Sequence, residues 1–411
     1  MTAPAHSAGR ILFLSQWFPF PADNGSKLRV RSLLSGLAKK HEVILISFDD
    51  KAKVHRDVSE ARSICNETYV VPFKPYNPDS LKARLGYLSL TPRSVRDTYS
   101  SQMARCVREV VGTRKPDLII ASELGTAVYH PYFGAKPALF EEVEIGLLYE
   151  RYTDAGSRWD AARHGLTWLK HKQLLAHTLR RFQKCTVVSE QERSLLLGIA
   201  PRGLAIEVIP NCIDLSDYRT IQGQSQQETL IFTGSFGYEP NYEAMLWFLD
   251  KVYPQIKARR PATRLVITGD HLNRPLPTAA DVLCTGFVED VRPLITGAAI
   301  SIVPMQSGGG TRLKLLEAMA LRTAVVSTNK GAEGLRLTHG AQILIADSPD
   351  EFSRCVVRLL QEPETRQQLA SNAFQLVQNM YDWSIVMPRF VELVDTLIAS
   401  SNSTRRRPLL A

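Results

Sequence analysis

The chain has 411 residues, 44% of them hydrophobic and 22% charged, with a formal net charge of +9. That length exceeds the usual ~100–200 residues of one domain, so two domains are expected, and the composition is that of an ordinary globular protein. The positive balance admits nucleic acid, an anionic membrane face or small anions as partners, but the basic residues are dispersed and no zinc-finger spacing, basic zipper or aromatic RNA-binding signature accompanies them, which sets nucleic acid aside.

In chain order, Arg10 to Ser15 is a short apolar run and reads as the first strand. A loop from Pro19 to Ser26 follows, holding Asn24 and Gly25, and then an amphipathic helix over Lys27 to Lys40. Glu42 to Ser47 and Pro116 to Ala121 are further strands. The stretch from Gly146 to Arg193 is rich in helix formers, interrupted by a strand at Thr186 to Ser189. Ile206 to Asn211 closes the first half. Residues Ser216 to Glu228 are polar and aperiodic and read as a linker.

The alternation then restarts with Thr229 to Ser235, a helix from about Tyr242, and strands at Arg264 to Gly269, Val282 to Phe287, Ala299 to Pro304 and Ala324 to Thr328. Strands alternating with helices predict two doubly wound parallel sheets of Rossmann type. The expected domains are 1–215, with 381–400 packing back on it, and 229–380, with a disordered basic tail over 401–411. In such sheets ligands bind outside the carboxyl ends of the strands.

One segment stands out. Ser307 to Leu321 (S-G-G-G-T-R-L-K-L-L-E-A-M-A-L) joins a buried strand to a helix through a glycine-rich loop. A helix start presents unpaired N–H groups and partial positive charge, and glycines let a ligand approach that backbone. Arg312 and Lys314 add two cations to the same turn, which costs stability unless an anion sits nearby. The segment therefore suits a phosphate or diphosphate. It matches neither the Walker A pattern nor G-x-G-x-x-G. Glu317, one turn on, is placed to accept from sugar hydroxyls.

Six cysteines lie far apart with no C-x-x-C pair, which disfavours structural zinc and a disulfide framework and fits a reducing compartment. The amino terminus lacks a signal-peptide pattern and no spanning apolar run occurs, so a cytoplasmic location is expected, or the inner face of a membrane. The three arginines Arg405 to Arg407 would give a weak attraction to an anionic membrane.

The second half resembles the GT-B glycosyltransferases of the large retaining, nucleotide-sugar-using family (family 4, group 1 type). The matching pieces are I-P-N-C-I-D (Ile209 to Asp214), F-T-G-S-F-G-Y-E-P-N (Phe232 to Asn241), L-V-I-T-G (Leu265 to Gly269) and T-G-F-V-E-D-V (Thr285 to Val291). They continue with P-M-Q-S-G-G-G-T-R-L-K-L-L-E-A-M-A (Pro304 to Ala320) and V-V-S-T-N-K-G-A-E-G-L (Val325 to Leu335). The first half resembles the family more loosely, through its strand-loop-helix start and F-E-E-V-E (Phe140 to Glu144).

The resemblance implies that Gly234 and Ser235 approach a donor diphosphate, and that Val288 and Glu289 hold the nucleotide base. It implies that Gly309, Gly310 and Thr311 offer backbone N–H groups, that Arg312 and Lys314 offset the leaving charge, and that Glu317 takes the ribose hydroxyls. The chain departs from many relatives at Gly309, where a first glutamate stands about two turns before the equivalent of Glu317. It also lacks the basic residue that many carry after the strand at Phe232, for which Arg312 and Lys314 can substitute, as in the branch with G-T-R-x-K.

The implied reaction moves a sugar from a nucleoside-diphosphate sugar, UDP- or GDP-linked, to an acceptor hydroxyl with retention. No D-x-D motif is present, so no metal or resident cofactor is expected. Glu142 and Glu144 are candidates for the acceptor base, as is His130, while Asn24 and Gly25 can admit the acceptor or diphosphate; each has an ordinary alternative in salt bridging, capping or turning. Trp17 and Phe18 read as core or as a stacking surface. The acceptor is open among a glycan, a lipid-linked sugar and a small metabolite. A sugar-nucleotide epimerase, a phosphorylase and a non-catalytic donor-binding subunit are the competing readings.

Overall fold

The computed structural model describes residues 8–22, 24–49, 58–154, 156–277, 279–310 and 312–406, the side chains of 401–406 aside. The chain divides into two compact units, Met1–Ile209 with Met387–Ala411, and Pro210–Val386.

The first unit holds a seven-stranded sheet of order β3-β2-β1-β4-β5-β6-β7. Its strands are β1 (Arg10–Ser15), β2 (Glu42–Asp49), β3 (Glu67–Pro72), β4 (Leu118–Ser122), β5 (Ala138–Glu141), β6 (Lys184–Val187) and β7 (Ala205–Val208). Every pairing is parallel; β1 sits in register with β2 (Ile11 opposite Val43) and with β4 (Ile11 opposite Leu118). Parallel strands covered on both faces read as continuous apolar runs, and Ile11, Leu12, Phe13 and Leu14 are all fully buried. The last helix, Trp383–Arg406, packs its Met387 against Gly36 and places Asp395 2.6 Å from the Lys40 ammonium.

The second unit holds a six-stranded parallel sheet of order β10-β9-β8-β11-β12-β13. These are β8 (Gln226–Thr233), β9 (Arg264–Thr268), β10 (Val282–Gly286), β11 (Ala298–Val303), β12 (Ala324–Ser327) and β13 (Leu344–Ile345). In both sheets the chain winds outward in two directions from a central pair, β1 with β4 and β8 with β11. That switch is where the strand ends splay and leave room for a ligand.

The observed boundaries differ from the expected ones. β8 begins at Gln226, inside the segment read as a linker, and Leu215–Asp217 is a short 3-10 turn. The last helix continues through Arg406, past the point where a tail was expected to begin; residues 407–411 lie outside the described residues. Three strands not anticipated, β3, β5 and β13, are short or lie away from the sheet centre.

Candidate functional site

In the second unit the loops after β8 and β11 lie at the switch point. The β8 chain turns at Gly234, whose φ of +152° disfavours a side chain. A Cβ there would stand 2.7 Å from Asn241 Nδ2 and 2.9 Å from Lys314 Nζ, so the glycine is what lets these groups close on the backbone. Asn241 Nδ2 donates to the Ser235 carbonyl (2.8 Å), and the Lys314 ammonium donates to Asn241 Oδ1 (2.8 Å). The same ammonium lies over the ring of Phe232, next to the end of β8, 4.2 Å from its centroid. Burial, with the Arg312 charge adding to it, brings Lys314 down to about 7 against the pull of Glu317.

Lys314 stands in the first turn of the helix Leu313–Ala320, which has no side-chain N-cap and no acidic residue in that turn. A strand-loop-helix with uncapped amides and a lysine whose charge is under-solvated is a site prepared for an anion. One turn on, Glu317 is raised to about 7, chiefly by burial. Tyr218 Oη lies 3.5 Å from its carboxylate. Arg292, 5.8 Å from the Tyr218 ring centroid, is fixed by Asp290 (2.8 Å) and by the Asp217 carbonyl (2.7 Å).

Other residues fall differently. Arg312 is buried and turns back on its own loop, donating to the carbonyls of Gly308 (2.6 Å) and Gly309. It stiffens the glycine loop rather than aiming its fork outward, while its Nε is left without a partner. Gly310 adopts a φ of +74° and Gly308 one of +106°; a Cβ on Gly308 would meet the Tyr238 hydroxyl at 2.5 Å. Thr311 lies outside the described residues. Ser235 Oγ lies 3.2 Å from the Asp270 carbonyl and shapes the turn. Val288 and Glu289 follow the edge strand β10, with β9 between them and β8; just beyond them, the charges of Arg292 and Asp290 act on Glu317.

In the first unit, carboxylates gather at the ends of β4 and β5. Glu141 accepts from Arg29 Nε (2.8 Å) and from the Ser122 hydroxyl (2.7 Å), with Arg29 Nη2 ion-paired 2.7 Å from the same carboxylate. Glu142 sits with φ +55° and its carboxylate 3.6 Å from Arg29 Nε; burial raises its pKa well above the carboxylate range. Glu123, at φ +65°, is pushed to about 8 by burial and by Glu144 and Glu141. Glu144 is exposed and lines a cavity of about 20 Å³ with Leu148, Trp168 and His171, room for about one water.

Asn24 caps the helix Gly25–Ala38 by accepting from the Lys27 amide (3.1 Å), and Gly25 is the first residue of that helix. Phe18 is buried, Trp17 packs on Phe73 at 5.5 Å, and His130 lies 6.1 Å from His177 with its pKa lowered to about 4, mainly by burial. The sequence reading missed Asn241 and Phe232 around Lys314, Arg29 beneath Glu141, and Glu123.

Residues 227–362 match the family model described as glycosyl transferases group 1. The matched residues lie within the second unit, which is similar to that family over them. A curated relative, an uncharacterized 44.6 kDa protein of the Klebsiella pneumoniae cps region, is 29% identical over 164 residues, 37% of this chain and 42% of the relative. The match thus spans about two fifths of that relative's length.

Solved structures share the whole fold at low identity. Alr3699/HepE of Anabaena, in complex with UDP and glucose, aligns over 94% of this chain and 100% of its own, with a TM-score of 0.66 and 14% identity. The sucrose-phosphate synthase of Thermosynechococcus elongatus aligns over 95% and 100%, with a TM-score of 0.69 and 15% identity. The fold is GT-B. Among the described residues no helix is long and apolar enough to cross a membrane.

Proposed function

We propose that this chain is a glycosyltransferase that moves a sugar from a nucleoside-diphosphate sugar to an acceptor hydroxyl, with retention and without a metal, in the assembly of a glycan or glycoconjugate. The observation that carries this reading is the Gly234–Asn241–Lys314 arrangement against Phe232, at the switch point of the domain that matches the family. Support comes also from the relatives: HepE is seen with UDP and glucose, and the Klebsiella protein lies in a cps region.

The chemistry follows from the charges. Cleaving the anomeric C–O bond leaves negative charge on the departing diphosphate, and catalysis requires that charge to be stabilised by groups already in place. Lys314 and the amides at the start of Leu313–Ala320 do this, while Arg312 holds the loop that presents them. Glu317 takes the ribose hydroxyls and Arg292 with Tyr218 orients it. The acceptor hydroxyl closes on the same face that the diphosphate leaves, in line with the resemblance. The carboxylates of the first unit are candidates for handling its proton, Glu144 being the exposed one.

The test is thermal stability against UDP, GDP, ADP, dTDP and their sugars, with and without Mg²⁺, since a ligand that binds only the folded state raises the melting temperature. A shift with one nucleoside diphosphate, indifferent to Mg²⁺ and lost in Lys314→Ala, is expected. No shift with any of them refutes the donor site.

A second reading, a donor-binding subunit without catalysis, is favoured by one observation: Gly309 stands where many relatives carry a carboxylate. Slow hydrolysis of the matching sugar nucleotide by the purified chain would eliminate it.

A further inference from the structure

We propose that the first unit docks on an anionic lipid bilayer through the face formed by residues 81–96 and the outer side of the helix Arg158–Leu179, with a basic groove beside it taking the lipid headgroup. This rests on the surface alone and assumes nothing about the reaction.

Residues Leu81–Leu85 and Gly86–Leu88 form two consecutive short helical pieces. Leu81, Leu85 and Leu88 recur at helical spacing, and that stripe faces outward: Leu88 is 92% exposed, Leu90 76% and Leu81 74%. A helix of a globular protein normally turns such a stripe to the core. Here the small residues Ala83 and Gly86 take the inner side instead. The segment is not loosely attached. Lys170 of the long helix donates to the carbonyls of Gly86 (3.0 Å) and Tyr87 (3.2 Å), and Arg93 donates to those of Ala83 (3.0 Å) and Pro78 (2.7 Å).

The helix that supplies Lys170 continues the same character. Trp159 is 87% exposed, and Leu166 and Leu169 are also exposed on it. Leucines with a tryptophan and a tyrosine at the rim are the set that partitions into the headgroup layer.

The charges complement an anionic bilayer. Lys82, Arg84 and Arg96 are exposed around the leucines, and Arg158, Arg163 and Lys172 along the long helix. The acids interspersed are Asp79, 3.6 Å from Arg84, and Asp160, 3.2 Å from Arg163; Asp97 is buried and held by Lys74 and Ser80. Against the same segment opens a groove of about 400 Å³, with Val95, Val128 and Leu174 as its apolar wall and Lys82, Arg96 and Tyr99 as its polar groups. Two cations beside an apolar wall suit a phosphate on an alkyl stem. A second copy of the chain fits worse, because a two-fold contact would set these cations against themselves.

The experiment is co-sedimentation of the full chain with vesicles of phosphatidylcholine alone or with added phosphatidylglycerol, at low and high salt. Binding to the phosphatidylglycerol vesicles that weakens with salt is expected. Leu88→Glu with Leu90→Glu, both at exposed positions, should lower the vesicle-bound fraction by about tenfold or more with the melting temperature unchanged. Lys82→Gln, Arg84→Gln and Arg96→Gln should each cost about fivefold on anionic vesicles only. A chain ending at Ser403, without the arginines that follow, should bind as the full chain does.

Four results overturn the proposal: equal binding to both vesicle types, binding to neither, variants that bind like the parent, or binding lost with the last residues alone. A dimer in solution that the leucine variants abolish, without vesicle binding, would assign the face to a second copy instead.

Discussion

The sharpest consequence of the Lys314 environment is a proton taken up with the donor. Its ammonium is lowered to about 7 by burial and by Arg312. A diphosphate against it favours the charged form and returns the group toward its ordinary range. Binding should then take up about 0.5 proton at pH 7 and about 0.9 at pH 8, and affinity should fall about fivefold over that interval. The phosphates are already largely ionised there, their second pKa being about 6. Isothermal titration of the nucleoside diphosphate in two buffers of different ionisation heat reads the proton count directly. Glu317 titrates in the same range, also near 7, so the measurement is repeated in Glu317→Gln, where the dependence on Lys314 should persist. In Lys314→Arg made in the Glu317→Gln background the side chain stays charged, so proton uptake should vanish and the affinity become flat with pH. A parent protein with no uptake and no change between pH 7 and 8, or an arginine variant with the same slope, would show that the lysine does not meet the diphosphate.

Three further outcomes are expected. Gly234→Ala places a methyl 2.7 Å from Asn241 Nδ2 and 2.9 Å from Lys314 Nζ at a φ of +152°; donor affinity should fall by about tenfold or more while the circular dichroism spectrum is kept, and unaltered affinity would show the contact to be dispensable. Arg29→Ala leaves the Glu141 and Glu142 carboxylates buried beside one another, and urea unfolding should report a loss of about 3–5 kcal/mol; a loss below about 1 kcal/mol would contradict a paired buried charge. Glu123, raised to about 8, binds more protons folded than unfolded, so its contribution to stability is full below about pH 4.5 and declines as pH rises toward 8. The gap in melting temperature between parent and Glu123→Gln should therefore shift in the variant's favour from pH 5 to pH 8, and a constant gap would refute the raised carboxyl.

Legibility followed burial and sequence distance. β1, β2, β4, β8, β9, β11 and β12 were readable because a parallel strand covered on both faces is a largely unbroken apolar run, as in Ile11 to Leu14 and Val43 to Ile46. β5 was not, because only four residues long it ends in Glu141, whose charge is accommodated by an arginine 112 residues away. β3 sits at the sheet edge, where its E-T-Y-V-V-P pattern is half-buried, and β13 is two residues long.

The site divided along the same line. The glycine loop, Lys314 and Glu317 lie within one local segment, so strand, loop, helix start and charge could be read together. What a charge does there is settled by atoms far along the chain. Lys314 meets Asn241 across 73 residues and rests on Phe232, which gives it a fixed direction. Arg312, two residues earlier and of the same sign, finds loop carbonyls within reach and spends its fork on them. Two adjacent cations therefore take unlike roles, one holding the loop and one facing what the loop presents. A short ammonium and a long guanidinium starting from the same turn reach different depths, and that difference in reach makes the lysine the residue on which the anion should depend.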